Sequence, residues 1–188
     1  MIRPWPLLAS TPVADYRVFR VRRDRKQSPR TGREHDFHVL ECPDWVNVIA
    51  LTPEQGIVLI EQYRHGSNTV ELEIPGGVMD VADSSPLATG VRELREETGY
   101  EGGHARMLNH ILPNPAIMAN RCYTVLVENC VRRHPVEFDH AEDLLTRVVP
   151  LRDVPALVAT GRIQHSLVVV ALYQFELWRH GLGQPADL

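Results

Sequence analysis

Glu93, Glu96 and Glu97 are the residues of this 188-residue sequence whose types and spacing most directly suggest chemistry. On a helix, positions i, i+3 and i+4 share one face, so three carboxylates would crowd into a single turn. Repulsion at that spacing costs only about a few tenths of a kcal/mol per pair. A solvated face, with Arg92 and Arg95 pairing with neighbouring carboxylates, would account for the cluster taken alone. The residues upstream point further. Glu73-Ile74-Pro75 runs into Gly76-Gly77, either an ordinary tight turn or a place where the backbone comes close and a carbonyl faces a cation. Hard divalent ions take oxygen ligands, and Mg²⁺ keeps several waters while drawing the rest of its shell from substrate phosphates. Helix carboxylates with a loop carbonyl match such a site.

The element that must hold these glutamates is well marked. Ser85 is a good N-cap, Pro86 fits the first helical position and Gly99 follows the last, so a helix is expected over Ser85–Thr98. Leu87, Val91, Leu94 and Thr98 recur at helical spacing and are expected to form its buried stripe. Short apolar or alternating runs predict strands at Tyr16–Arg23, His35–Glu41, Val46–Leu51, Ile57–Tyr63 and Val70–Ile74. Further strands are expected at Ala105–Leu112, Cys122–Glu128 and Leu144–Leu151, and helices at Val154–Thr160 and Gln164–Trp178. Asp24–Arg33 reads as a turn-rich basic connection. Strands, one strong helix, more strands and late helices imply an α+β fold, an α/β/α sandwich around a mixed sheet.

Composition narrows the function. With 44% hydrophobic residues the chain can bury a core, and its length favours one catalytic domain. A net charge of −4, without interleaved aromatic and basic residues, argues against nucleic acid as a partner. Cys42, Cys122 and Cys130 show neither metal-ligand spacing nor a disulfide framework, which fits a reducing cytoplasm. The N-terminal apolar residues are too few and too broken by proline for a secretory core, and no run is long enough to span a membrane. The nine histidines show no ligand spacing.

The segment from Gly77 through Arg92-Glu93-Leu94-Arg95-Glu96-Glu97-Thr98-Gly99-Tyr100 resembles the Nudix box. Its second half matches at every defined position. Its first half is one residue longer than the family's, so the early acidic position falls on either Asp83 or Ser84. The resemblance implies the Nudix fold, with an N-terminal strand-rich region at 1–45, the hydrolase domain at 46–180 and a tail at 181–188. It implies Mg²⁺, or Mn²⁺ in its place, held by Glu93, Glu97, nearby Glu96 and the Gly76 carbonyl, with Arg92 holding Glu96.

The approach to the box, Val58–Arg64 followed by Glu71–Gly77, and the late segment Ala141–Val149 are similar to those of ADP-ribose and ADP-sugar pyrophosphatases. That similarity implies a nucleoside diphosphate sugar as substrate, Arg64 facing it and Glu142 joining the metal site or acting as base. It also implies a homodimer built through the N-terminal region. Glu142 reads equally as a solvated loop carboxylate. Trp45 either stacks on a purine or is a buried strand residue, and the proline-fixed loop Pro113–Arg121 either shapes the sugar pocket or is a structural turn. Two other readings stand beside this one. The same site could act on nucleoside triphosphates, dinucleoside polyphosphates or a coenzyme, or the domain could sense a nucleotide sugar without cutting it.

Overall fold

In the computed structural model, described here for residues 1–138 and 142–182, the chain forms two compact units. Residues 1–44 with Leu112–Arg121 form the first, and the chain from Trp45 to Ile111 with that from Cys122 onward forms the second. The first unit is an antiparallel meander of β1 (Leu7–Asp15), β2 (Arg20–Gln27) and β3 (Glu34–Glu41). Strand β1, which carries Pro12, was not foreseen. At a sheet edge a proline removes no ladder bond that the sheet needs, and Pro12 lies on the edge strand beside a register shift. The expected strand at Tyr16–Arg23 is instead the turn of this hairpin running into β2, and β2 takes in Asp24–Gln27 from the expected connection. The loop Leu112–Arg121 belongs to this unit, where Leu40 donates to the Ile117 carbonyl and accepts from Ala119 N–H.

The second unit is a three-layer α/β/α sandwich. Its strands are β4 (Trp45–Ala50), β5 (Gly56–Arg64), β6 (Thr69–Glu73), β7 (Gly76–Val78), β8 (Tyr100–Glu101), β9 (His104–Ile111), β10 (Cys122–Glu128), β11 (Val131–Arg132) and β12 (Leu144–Pro150). Its helices are α1 (Pro86–Thr98), α2 (Val154–Ala159) and α3 (Ser166–Arg179). One mixed sheet runs β7-β4-β10-β9, with β4 and β10 parallel; a second, antiparallel, runs β12-β5-β6; β8 and β11 form a short ribbon. Parallel strands need cover on both faces, and the sequence supplies it as near-continuous apolar runs. Alternate residues of these strands feed two cores. Val46, Val48, Ala50, Val58, Val125 and Val127 pack with Leu94 of α1. Ile49, Ile57, Leu59 and Leu126 pack with Val168, Leu172 and Phe175 of α3. Among the described residues no helix is long and apolar enough to cross a membrane.

Helix α1 begins as its sequence dictates. The Ser85 hydroxyl accepts from Ala88 N–H at 3.2 Å, Pro86 opens the first turn, and Gly99 ends the helix in the left-handed conformation at φ 73°. Its buried face keeps Leu94 and Thr98 of the expected stripe, with Leu87 packed at its edge, but not Val91. Val91 is 42% exposed, whereas Thr89, Gly90, Glu93, Leu94, Glu97 and Thr98 are buried. The cause is Gly90, where a Cβ would come within 3.2 Å of Val46 and Val125 side chains. The closest line of approach runs through that glycine, so the helix turns its glutamates toward the sheet and Val91 away from it. Losing the Ser85 cap by Ser85→Ala should destabilise the protein by about 1 kcal/mol and lower Tm by about 2–4 °C. An unchanged melt would show that the cap contributes nothing.

Candidate active site

The site is assembled in the second unit where α1 passes over β7, in a cleft of about 220 Å³. Strand β7 pairs antiparallel with β4, setting Gly76 opposite Asn47 and Gly77 opposite Val46. Side chains at neither glycine would fit. A Cβ on Gly76 would strike the Val46 carbonyl, and one on Gly77 would strike the Glu93 carboxyl. The two glycines thus clear the space into which α1 lowers its carboxylates. Glu97 is only 3% exposed and accepts the Gly76 N–H through Oε2 at 2.9 Å. Glu93 is 8% exposed.

Burial dominates the electrostatics. Removing Glu93 from water raises its pKa to about 7, with Glu96 adding to the rise and Arg92 opposing it. Burial raises Glu97 to about 8, against the Gly76 N–H that favours its charged form and with Glu93 adding repulsion. These are not the carboxylates of a solvated face. Two acids held out of water in one turn, at the edge of a polar cleft, are oxygen donors of the kind that hard divalent cations take.

Arg92 brings a positive charge beside them. Its Nη1 donates to Glu96 Oε2 at 2.9 Å, its Nη2 approaches Glu93 Oε1 at 2.9 Å, and its Nε and Nη2 reach the two oxygens of Asp83 at 3.3 and 3.0 Å. The guanidinium therefore stands between Glu93 and Glu96 and holds more than the single carboxylate expected. Among the described residues no three His, Cys, Asp or Glu side chains already form a metal cage. Asp83 also accepts from the Thr89 hydroxyl at 2.9 Å and from Asp80 N–H at 3.0 Å, and Arg92 above all draws its pKa down to about 2. The sequence left the acidic position open between Asp83 and Ser84; the carboxylate that reaches Arg92 is that of Asp83.

Across the cleft, β5 brings Gln62 and Arg64 to the rim and β4 begins with Trp45. Arg64 is not simply extended toward a substrate. Its Nε and Nη2 donate to the two oxygens of Glu73, both at 2.8 Å, and its guanidinium lies 5.8 Å from the centre of the Trp45 ring. The Trp45 face beneath Arg64 is therefore closed to a base. Trp45 Nε1 donates to Asn47 Oδ1 at 2.8 Å, and Asn47 Nδ2 donates to the Leu167 carbonyl at the start of α3, 3.0 Å away. Glu142 lines the cleft as expected, and Glu137 lines it without having been foreseen. The N–H of Glu137 donates to the Glu96 carbonyl at 2.8 Å. The neighbours of Glu142 expected in the late acidic segment, His140 and Ala141, lie outside the described residues. The loop Pro113–Arg121 belongs to the first unit.

Sequence reasoning left Asp83 undecided and missed Glu73, Asn47 and Glu137. For Asp83 the signal was present in an acid placed just before the helix start, within reach of Arg92. For Glu73 it lay in the hairpin of β5 and β6, where a carboxylate and an arginine can meet. Asn47 and Glu137 carried no local signal.

Comparison with known proteins places this geometry. The model of the NUDIX domain matches residues 43–169. The chain is 27% identical over 175 residues to the ADP-ribose pyrophosphatase of Mycobacterium tuberculosis, covering 91% of this chain and 83% of that protein. It is 27% identical over 164 residues to the methanol dehydrogenase activator of Bacillus methanolicus, covering 86% of each. Its fold is similar to that in a crystal structure of an ADP compounds hydrolase, with a TM-score of 0.85, 21% identity, and coverage of 96% of this chain and 97% of that one. The family model spans both the glutamate-bearing helix and the glycine strand that receives it, and the chain belongs to the Nudix family, as a hydrolase of the pyrophosphohydrolase kind.

Proposed function

We propose that the protein hydrolyses the diphosphate bond of a nucleoside diphosphate sugar such as ADP-ribose, dependent on Mg²⁺, giving a nucleoside monophosphate and a sugar phosphate. The observation that carries this reading is the pair of buried carboxylates, Glu93 and Glu97, lowered into a polar cleft opposite Arg64. Glu93, Glu96 and Glu97 with the Gly76 carbonyl would hold the metal, and Mn²⁺ suits the same donors. Bound there, the cation supplies charge neutralisation at the diphosphate and acidity to water.

The chain's own residues do the rest. Arg92 holds Glu96 and Glu93 at fixed positions and is itself held by Asp83. Glu142 lines the cleft and accepts the proton of the attacking water, with Glu96 beside it. Arg64 faces the diphosphate and pairs with the charge its oxygens already carry. Trp45 forms the wall on which Arg64 rests. The similarity to the mycobacterial ADP-ribose pyrophosphatase over 91% of this chain supports the choice of substrate. Residues 1–45 would join two copies, a reading supported by the exposed Leu7, Leu8, Val13, Val18 and Phe37 of the first unit. Its free cysteines suit the cytoplasm.

Turnover of ADP-ribose with Mg²⁺ should exceed that of nucleoside triphosphates, dinucleoside polyphosphates and coenzymes when the nucleotide products are separated and quantified by chromatography, and should vanish with a chelator. No preference for sugar nucleotides rejects the substrate, and full turnover in chelator rejects the metal. Glu97→Gln should lower kcat by about three orders of magnitude, and parent-like turnover would remove Glu97 from the site.

A pH dependence follows from the two raised carboxyls. Their folded-state values, about 7 and about 8, lie above the ordinary 4.5. Stability that they contribute as neutral acids is complete below 4.5 and is lost as pH rises through 7 and 8. The metal-free protein should melt higher at pH 6 than at pH 9, with Mg²⁺ narrowing the gap. Mg²⁺ uptake at pH 7 should release protons, read by calorimetry as an enthalpy that varies with the buffer. A buffer-independent enthalpy would contradict the burial argument. Light scattering after size exclusion should give twice the 21.3 kDa chain mass, and a monomer at micromolar concentration would reject the dimer.

A further inference from the structure

Glu73 presents a buried charge that the mechanism above does not use. It is 2% exposed, at the end of β6, and it is absent from the lining of the cleft, so it cannot itself meet a substrate. A buried carboxylate without a partner would be costly, and this one is satisfied by Arg64 through two parallel bonds of 2.8 Å. The geometry of that pair decides which part of Arg64 is left. A guanidinium has five N–H donors in a rigid plane. Glu73 takes the Nε–H and one of the Nη2 hydrogens, and the opposite edge, carrying both Nη1 hydrogens, has no hydrogen-bond partner among the described residues. The guanidinium carbon also lies over the Trp45 ring, 5.8 Å from its centre, and Trp45 is itself tethered through Asn47 to the start of α3. The bidentate pair fixes the guanidinium in its plane, beside an anchored ring.

We propose that Glu73 is a positioning residue for substrate binding: its bidentate hold on Arg64, which lies over the Trp45 ring, presents the Nη1 edge of Arg64 to the diphosphate of a bound nucleotide. Arg64 lines the cleft that Glu93 and Glu97 also line. A fixed pair of donors there grips non-bridging phosphate oxygens without first losing side-chain freedom. Such a contact exists before as well as during the reaction, so it acts on KM more than on kcat. The inference rests on the diphosphate reading of this cleft.

Steady-state hydrolysis of ADP-ribose by the full chain with Mg²⁺ tests it, using Glu73→Gln, Arg64→Lys and the double variant. Glu73→Gln keeps the shape of the side chain but halves the clamp; it should raise KM about tenfold while kcat falls less than threefold. Arg64→Lys should raise KM at least as much. The double variant should match Arg64→Lys alone, because Glu73 acts only through that arginine. Additive effects, or parent-like KM in Glu73→Gln when Arg64→Lys is impaired, overturn the inference. A parent protein that turns over no diphosphate, or an Arg64→Lys variant with unchanged KM, overturns the reading of the cleft instead. If Glu73→Gln does not fold, judged by near-UV dichroism, Glu73→Asp carries the test: it keeps the charge but withdraws it by one methylene, so a raised KM supports the clamp and a parent-like KM overturns it.

Discussion

Seating α1 against the strands takes two carboxylates out of water, and much of the second unit is arranged to permit that. Gly90 lets the helix approach β4 and β10, and Gly77 leaves room for the Glu93 carboxyl. Gly76 both passes close to the Val46 carbonyl and offers its N–H to Glu97. None of these positions tolerates a side chain without displacing a strand or a glutamate. The desolvation that lifts the pKa values of Glu93 and Glu97 is therefore a consequence of backbone packing, and the same packing gathers their oxygen donors.

The two cores on either side of the sheet keep this arrangement in place. One sits under α1 and is built mainly of valines from β4, β5 and β10; the other lies under α2 and α3 and is built from larger side chains around Phe175. Because both draw on the same strands, a shift of α3 would be felt at α1. Asn47 makes one such connection explicit, since its amide joins the Trp45 ring in the cleft to the Leu167 carbonyl of α3.

Much of this was legible in the sequence, for identifiable reasons. Strands β4, β5, β6, β9, β10 and β12 carry apolar runs bounded by turn residues, and their observed limits lie within a residue of those expected. Helix α1 announces itself through Ser85, Pro86 and Gly99. Strand β1 was hidden because Pro12 is a breaker everywhere except where the ladder has no neighbour to lose. The face of α1 was legible at Leu87, Leu94 and Thr98 but not at Val91, because periodicity counts hydrophobic residues, and here a glycine and two glutamates share the contact. Among the site residues, Glu93, Glu96, Glu97, Arg92 and Gly76 could be chosen from local spacing. The partnership of Arg64 with Glu73 could not, because it depends on how a hairpin bends.

The clamp on Arg92 has a further consequence for the segment between Val78 and Ser85. That arginine donates to the Val78 carbonyl and to both oxygens of Asp83, while Asp80 stands 3.7 Å away, so the connection is fastened to the helix at its beginning and its end. Between the fastenings Val81 and Ala82 are exposed. A strap held in this way at both ends can change length in its exposed middle while the glutamates stay where they are.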